Sequence, residues 1–133
     1  MGYLDSNMNL VLLLNAAVSS TGTSTTGVSV SNYTGSMQIL VSARTGGTNT
    51  ATVTVEHSDA LASGYATVPT YALLNVETGA AATFSNISTT AYAETLVLQK
   101  EYCKRYVRVT IAGTSLTHNI AIVLAATEKD SAF

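Results

Sequence analysis

Hydrophobic and polar side chains alternate with a period of two along much of this chain. Thr50 to Ser58 shows it most plainly: Ala51, Val53, Val55 and His57 fall on one side, Thr52, Thr54, Glu56 and Ser58 on the other. Successive side chains of an extended backbone point to opposite faces, so the pattern predicts a strand with one face in a core and one in water. Further strands are predicted over 9–15, 27–33, 36–44, 65–76, 82–87, 94–99, 104–112 and 118–127, where Val, Ile, Thr and Tyr concentrate. Turn formers separate them in SSTGTSTTG, TGGTN, SDALASG and AGTS. The first of these is low in complexity and has nothing to bury, so it is expected to be the mobile loop. Pro69 is the sole proline; lacking an N–H for a strand ladder, it predicts a bend within 65–76.

This many short strands at close spacing predicts an all-β fold: an antiparallel β-sandwich, jelly-roll-like, forming a single domain over 1–133. Residues 1–8 and 128–133 are expected to be flexible or docking ends. The continuous apolar run Leu10-Val11-Leu12-Leu13-Leu14 does not alternate. It reads as a strand covered on both faces, and in an antiparallel sandwich the second cover can be a neighbouring subunit.

Composition strengthens that idea. Charged residues make up 11% of the chain and the net charge is −2, against about 25% charged residues in an ordinary soluble domain. With a mean hydropathy of +0.28, the chain lies outside the composition of disordered proteins. Its surface must be built mainly from Thr, Ser, Asn, Ala and Gly, which leaves little repulsion between copies and suits a subunit of an assembly.

The N-terminal apolar run follows an acidic Asp5 instead of a basic segment and is interrupted by Asn15, so neither a signal peptide nor a membrane span is expected. Met1-Gly2 with Ser6 fits a loose myristoylation pattern, and no polybasic patch supplies a second membrane signal. Asn32-Tyr33-Thr34 and Asn86-Ile87-Ser88 are formal glycosylation sequons of a kind that Ser- and Thr-rich chains contain by chance.

Candidate chemistry is sparse. His57-Ser58-Asp59 holds the residue types of a hydrolytic triad, but neighbouring strand residues face opposite ways and no Gly-x-Ser-x-Gly elbow accompanies them. His57 is better read as a hydrogen-bonded rim residue, with Ser58-Asp59 opening a turn. His57, His118 and Cys103 match no zinc spacing, and the acidic residues form no calcium loop. Cys103 lies beside Lys104 and Arg105, which would favour its thiolate, but it is better read as a small apolar filler at the start of a strand. No catalytic residue, cofactor or metal is therefore expected.

Four of the six basic residues fall within KEYCKRYVR, Lys100 to Arg108. An unbroken strand there would place Lys100, Tyr102, Lys104, Tyr106 and Arg108 on one wet face, and Cys103, Arg105, Val107 and Val109 on the other. Basic residues interleaved with aromatics can form a single-strand nucleic-acid platform, but the chain is acidic overall and the string lacks the glycines of an RNA-recognition core motif. The simpler readings are a cross-strand charge ladder with Glu94, Glu101 or Glu56, or a docking face for an acidic protein surface.

ThrValThrValGluHisSerAsp, then TyrAlaThrVal, then LysArgTyrValArgValThrIleAlaGlyThrSer leading into IleAlaIleValLeuAlaAla, resembles a group of small structural proteins of tailed bacteriophages, encoded near the major capsid protein. The similarity covers roughly Ser36 to Ala126, with KRYVRVTIAGTS its most specific part; the LeuValLeuLeuLeu start and the Tyr65 to Val76 segment depart from the pattern. The resemblance implies a capsid decoration, or cement, protein on the outside of a phage head. Such a protein would be made in the host cytoplasm, contact the major capsid protein, form a homo-oligomer such as a trimer, and need neither nucleic acid nor membrane. The alternatives are a carbohydrate- or receptor-binding sandwich with Tyr65, Tyr71 and Tyr92 as stacking platforms, or a tail or neck component of the virion.

Overall fold

A computed structural model describes residues 8–128, so the outermost parts of both expected docking ends lie outside the described residues. The fold is all-β and antiparallel. Its strands are β1 (Met8–Ser24), β2 (Val28–Ser29), β3 (Tyr33–Ala43), β4 (Thr52–Ser58), β5 (Ala66–Thr67), β6 (Leu73–Asn75), β7 (Tyr92–Gln99) and β8 (Tyr106–Glu128). A single 3₁₀ turn, Lys100–Tyr102, joins β7 to β8, and no helix among the described residues is long and apolar enough to cross a membrane.

All eight strands belong to one hydrogen-bonded sheet, and β8 organises it. Along one flank β8 pairs with β1 and then β2. Along the other, its first half pairs with β4, from Thr52↔Ala112 to Ser58↔Tyr106, and its second half with β3, from Ala43↔Ile120 to Tyr33↔Glu128. Two lobes result: β5-β4-β8 with β2 and the end of β1, and β6-β7-β3-β8 with most of β1. The sheet thus curls through a shared strand, without dividing into two separately bonded layers.

The join is visible in the burial pattern of β8. Val107, Val109 and Ile111 are buried, whereas beyond the join Leu116, His118, Ile120, Ile122, Leu124 and Ala126 are buried, so the inward phase changes from odd to even. Between them the register against β1 shifts from Ser20↔Leu116 to Gly22↔Ala112, and Ser115 takes a φ of 53°. This is a bulge of extra residues in β8, which bends the strand and re-aims its side chains. Gly113 permits it, because a Cβ there would stand 2.7 Å from both Leu116 Cδ2 and the Thr50 carbonyl oxygen. AGTS is therefore a bend within one strand, not the end of one.

Inward side chains of both lobes meet in one core that includes Met37, Ile39, Val41, Val53, Val55, Leu96, Leu98, Ile111, Ile122 and Leu124. The alternation at Ala51, Val53, Val55 and His57 is buried as predicted. Pro69 lies where β5 ends and a turn closes with the Ala72 N–H on its carbonyl at 2.9 Å, so 65–76 bends as expected.

Two further expectations are corrected. Most of SSTGTSTTG is not a loop: Ser19 to Ser24 continue β1 against β8, and the Thr25 N–H reaches the Val109 carbonyl at 2.9 Å. The backbone ladder offered by β8 overrides the polar side chains, and the Thr25 hydroxyl completes it by accepting from the Val109 N–H at 3.0 Å. Gly22 is required there: its φ is +108°, and a Cβ would lie 1.9 Å from the Ile111 carbonyl oxygen. The strand predicted over 82–87 is also absent; this segment makes one isolated bridge, Ala51↔Ile87, with a second, Leu74↔Ala81, just before it, while Phe84 and Ile87 still reach the core.

Candidate interaction surfaces

The basic stretch does not form one strand face. The 3₁₀ turn at Lys100–Tyr102 and the irregular residues 103–105 break the phase before β8 begins at Tyr106. Lys100 folds back, its ammonium donating to the Ser31 carbonyl at 3.2 Å and to the Tyr33 carbonyl. Tyr102 is exposed and meets Tyr71 edge-on, the ring centroids 4.7 Å apart. Lys104 lies 3.8 Å from Asp59 in an exposed pair, an arrangement worth about 0–1 kcal/mol. Only Tyr106 and Arg108 share the outward side of β8. Turn geometry cancels the expected row of five, and the sequence signal for it was the unpatterned Glu101-Tyr102-Cys103.

Arg108 is engaged within the protein. Its register partner on β4 is Glu56, whose Oε1 accepts from Arg108 Nε at 2.8 Å and from the Thr110 hydroxyl at 2.8 Å. Thr110 in turn meets the Ser24 hydroxyl at 3.0 Å. The guanidinium sits 4.1 Å from the centroid of the Tyr65 ring, a cation–π contact. The Tyr65 hydroxyl donates to the Leu61 carbonyl at 2.8 Å. Glu56 is thus the cross-strand partner named among three candidates, and Tyr65 roofs an ion pair.

The other two candidate platforms lie elsewhere. Tyr71 follows β5 in the Pro69 turn, while Tyr92 opens β7 with its hydroxyl donating to Glu94 Oε1 at 2.7 Å; burial, then that carboxylate, raises the phenol above its ordinary range.

His57, Ser58 and Asp59 do not converge. His57 is buried and its Nδ1 accepts the Lys104 N–H at 3.1 Å; burial, followed by the Lys104 charge, lowers its pKa. Ser58 Oγ donates to the Ser63 carbonyl and accepts the Ala60 N–H at 3.1 Å, which opens the turn. Cys103 is the apolar filler: burial raises its thiol to about 11, and Sγ faces the Gln99 carbonyl at 3.5 Å. Among the described residues no group of three or more His, Cys, Asp and Glu side chains is placed to hold a metal. A cleft of about 360 Å³ between β4 and the 82–86 segment is lined by Thr52, Val53, Val55, Val68, Pro69 and Phe84 among others, none of them titratable.

Sequence reasoning missed the role of His118. Buried under the β3–β4 loop, it donates from Nε2 to the Asn49 carbonyl at 2.7 Å. Its other ring nitrogen is buried without a hydrogen-bond partner, against Gly47, where a Cβ would be 2.2 Å away. Asn49 Nδ2 donates to the Ser115 carbonyl at 2.8 Å, and the Thr48 and Thr117 hydroxyls meet at 2.6 Å. TGGTN therefore clamps the bend of β8.

The outward side of the second lobe differs from everything above. Register places Leu12, Val123, Leu40 and Thr95 in one row, and Leu10, Ala125, Gln38, Val97 and Leu74 in the next. Neither row carries a charge. Leu10 is 71% exposed, Leu12 61% and Leu40 40%. This is the second face of the apolar run singled out in the sequence, and within the described chain it is uncovered.

Comparison with family models, with curated proteins and with solved structures finds no match for this chain.

Proposed function

We propose that this protein is a non-enzymatic structural subunit that docks on a larger assembly, and that the assembly is the outer surface of a phage head. The observation that carries the docking reading is the pair of uncharged rows on the outward side of the second lobe, with Leu10, Leu12 and Leu40 in water. An antiparallel sheet that faces solvent on one side normally alternates apolar and polar positions, and contiguous exposed apolar surface marks an interaction site. The phage setting rests on the resemblance of Ser36 to Ala126 to virion structural proteins, with the major capsid protein as partner. Tyr102, Lys104 and Arg105, exposed at the β7–β8 junction, supply a second contact suited to an acidic patch.

Antibodies raised against the purified chain and applied to intact virions in electron microscopy test the reading. Label over the head surface is expected. Label confined to the tail or neck relocates the subunit, and unlabelled virions from a phage that encodes the chain overturn the proposal.

A further inference from the structure

We propose that the free edge of β1 pairs with β1 of a second copy of this chain, two-fold and antiparallel, continuing the sheet across the interface. This rests on the reading of the chain as an assembly subunit and names the partner at one of its surfaces.

β1 runs for 17 residues, and among the described residues it pairs with β8 alone, along one flank. Among the described residues its other flank meets no strand, and unpaired N–H and C=O groups there are a template for another strand. Proteins blunt such edges with charge, proline or shortness. β5 and β6, at two and three residues, use shortness. β1 uses neither charge nor proline, since Met8 to Ser24 contains none. Its defences are the two register shifts, at Leu12/Leu14 and at Ser20/Gly22, which leave 8–12, 14–20 and 22–24 as regular stretches.

The occupant is a second copy for three reasons. A strand edge is complementary to itself about a two-fold axis, so no other surface has to evolve to match it. A dyad through Val11 sets Leu10 against Leu12 of the second copy, and Leu12 against Leu10, which covers the two most exposed leucines of the patch at once. Nothing along β1 carries charge, so the strand has no feature to recognise a charged partner by and no repulsion to keep copies apart. Because the remaining edges are short, the pairing closes as a dimer and does not propagate into a fibre.

Sedimentation of the full chain, with Leu10→Lys/Leu12→Lys as the variant, tests this. Both side chains point to water, so the variant is expected to keep the wild-type melting transition while its self-association weakens about tenfold or more, the equivalent of ~1.4 kcal/mol. A chain that also forms trimers through another surface would drop from hexamer to trimer. In a Cys103→Ala background, a mixture of Leu10→Cys and Leu12→Cys chains, whose cysteines the dyad sets opposite each other, is expected to form a mixed intermolecular disulfide on mild oxidation, and Leu61→Cys, on an exposed loop, is not. A wild-type chain that stays monomeric at hundreds of micromolar, on the order of concentrations that populate weak dimers, overturns the inference. So does an oligomer whose mass ignores the double lysine variant, or cross-linking of the Leu61→Cys chain equal to that of the Leu10→Cys and Leu12→Cys mixture. Virion labelling is read separately, so a failed dimer leaves the head reading standing, and unlabelled heads leave the dimer standing.

Discussion

The two lobes share one strand and one core, yet their outer faces have opposite characters. Outside the first lobe, Glu56, Arg108, Thr110 and Ser24 bond one another beneath the ring of Tyr65. Outside the second lobe, Leu10, Leu12, Leu40, Val97 and Val123 lie in two rows that carry no charge. The polar outer face completes its hydrogen bonds within the chain, whereas the apolar one is left uncovered by the described residues. The bend in β8 separates a face whose polar groups bond one another from a face whose leucines meet water.

If the core is common to both lobes, inward substitutions on either side of the bend should cost alike. Ile111→Ala and Ile122→Ala, both fully buried, are each expected to lose about 2–5 kcal/mol in urea unfolding. A loss confined to one of them would mean that the lobes unfold separately. At the seam, Gly22→Ala meets the Ile111 carbonyl and an unfavourable φ together, and is expected to cost at least about 2 kcal/mol. The same replacement at Gly35, where a Cβ meets nothing within 4 Å, carries only the backbone term and should cost less.

The outer network of the first lobe should matter less than the core and more than an exposed pair. Glu56→Ala removes an acceptor from both Arg108 and Thr110 and is expected to cost about 1–2 kcal/mol. A cycle with Arg108→Met that gives no coupling would show the pair to be idle.

The smallest expected effect is one of pH. His57 has a lowered pKa in the folded state, so the native protein binds fewer protons there than the unfolded chain. Its contribution is complete above the ordinary histidine range, about 6.5, and is lost as pH falls through that value towards the folded pKa. Urea midpoints at pH 7.5 and 5.5 should therefore differ more in the wild type than in His57→Gln. An equal difference would mean that His57 does not contribute.

Period-two alternation determined that the chain is all-β and which side of 51–57 enters the core, and the missing N–H of Pro69 determined a bend within 65–76, because these depend on local stereochemistry and on which side chains avoid water. The unalternated Leu10 to Leu14 run also announced a strand with apolar side chains on both faces. Only the tertiary structure decided that polar SSTGTSTTG would be strand, since its backbone donors and acceptors find β8, a partner nearly ninety residues away in sequence. Tertiary structure likewise joined 106–128 through a bulge that AGTS disguises as a turn, and set His118 beneath Gly47 to hold that bend. It also broke the row from Lys100 to Arg108, because the 3₁₀ turn reverses the side-chain phase and carbonyls of the β2–β3 connection take the first lysine. Hydrophobic period is a property of neighbours along the chain, whereas hydrogen-bond pairing and the fate of each charge depend on groups that only folding brings together.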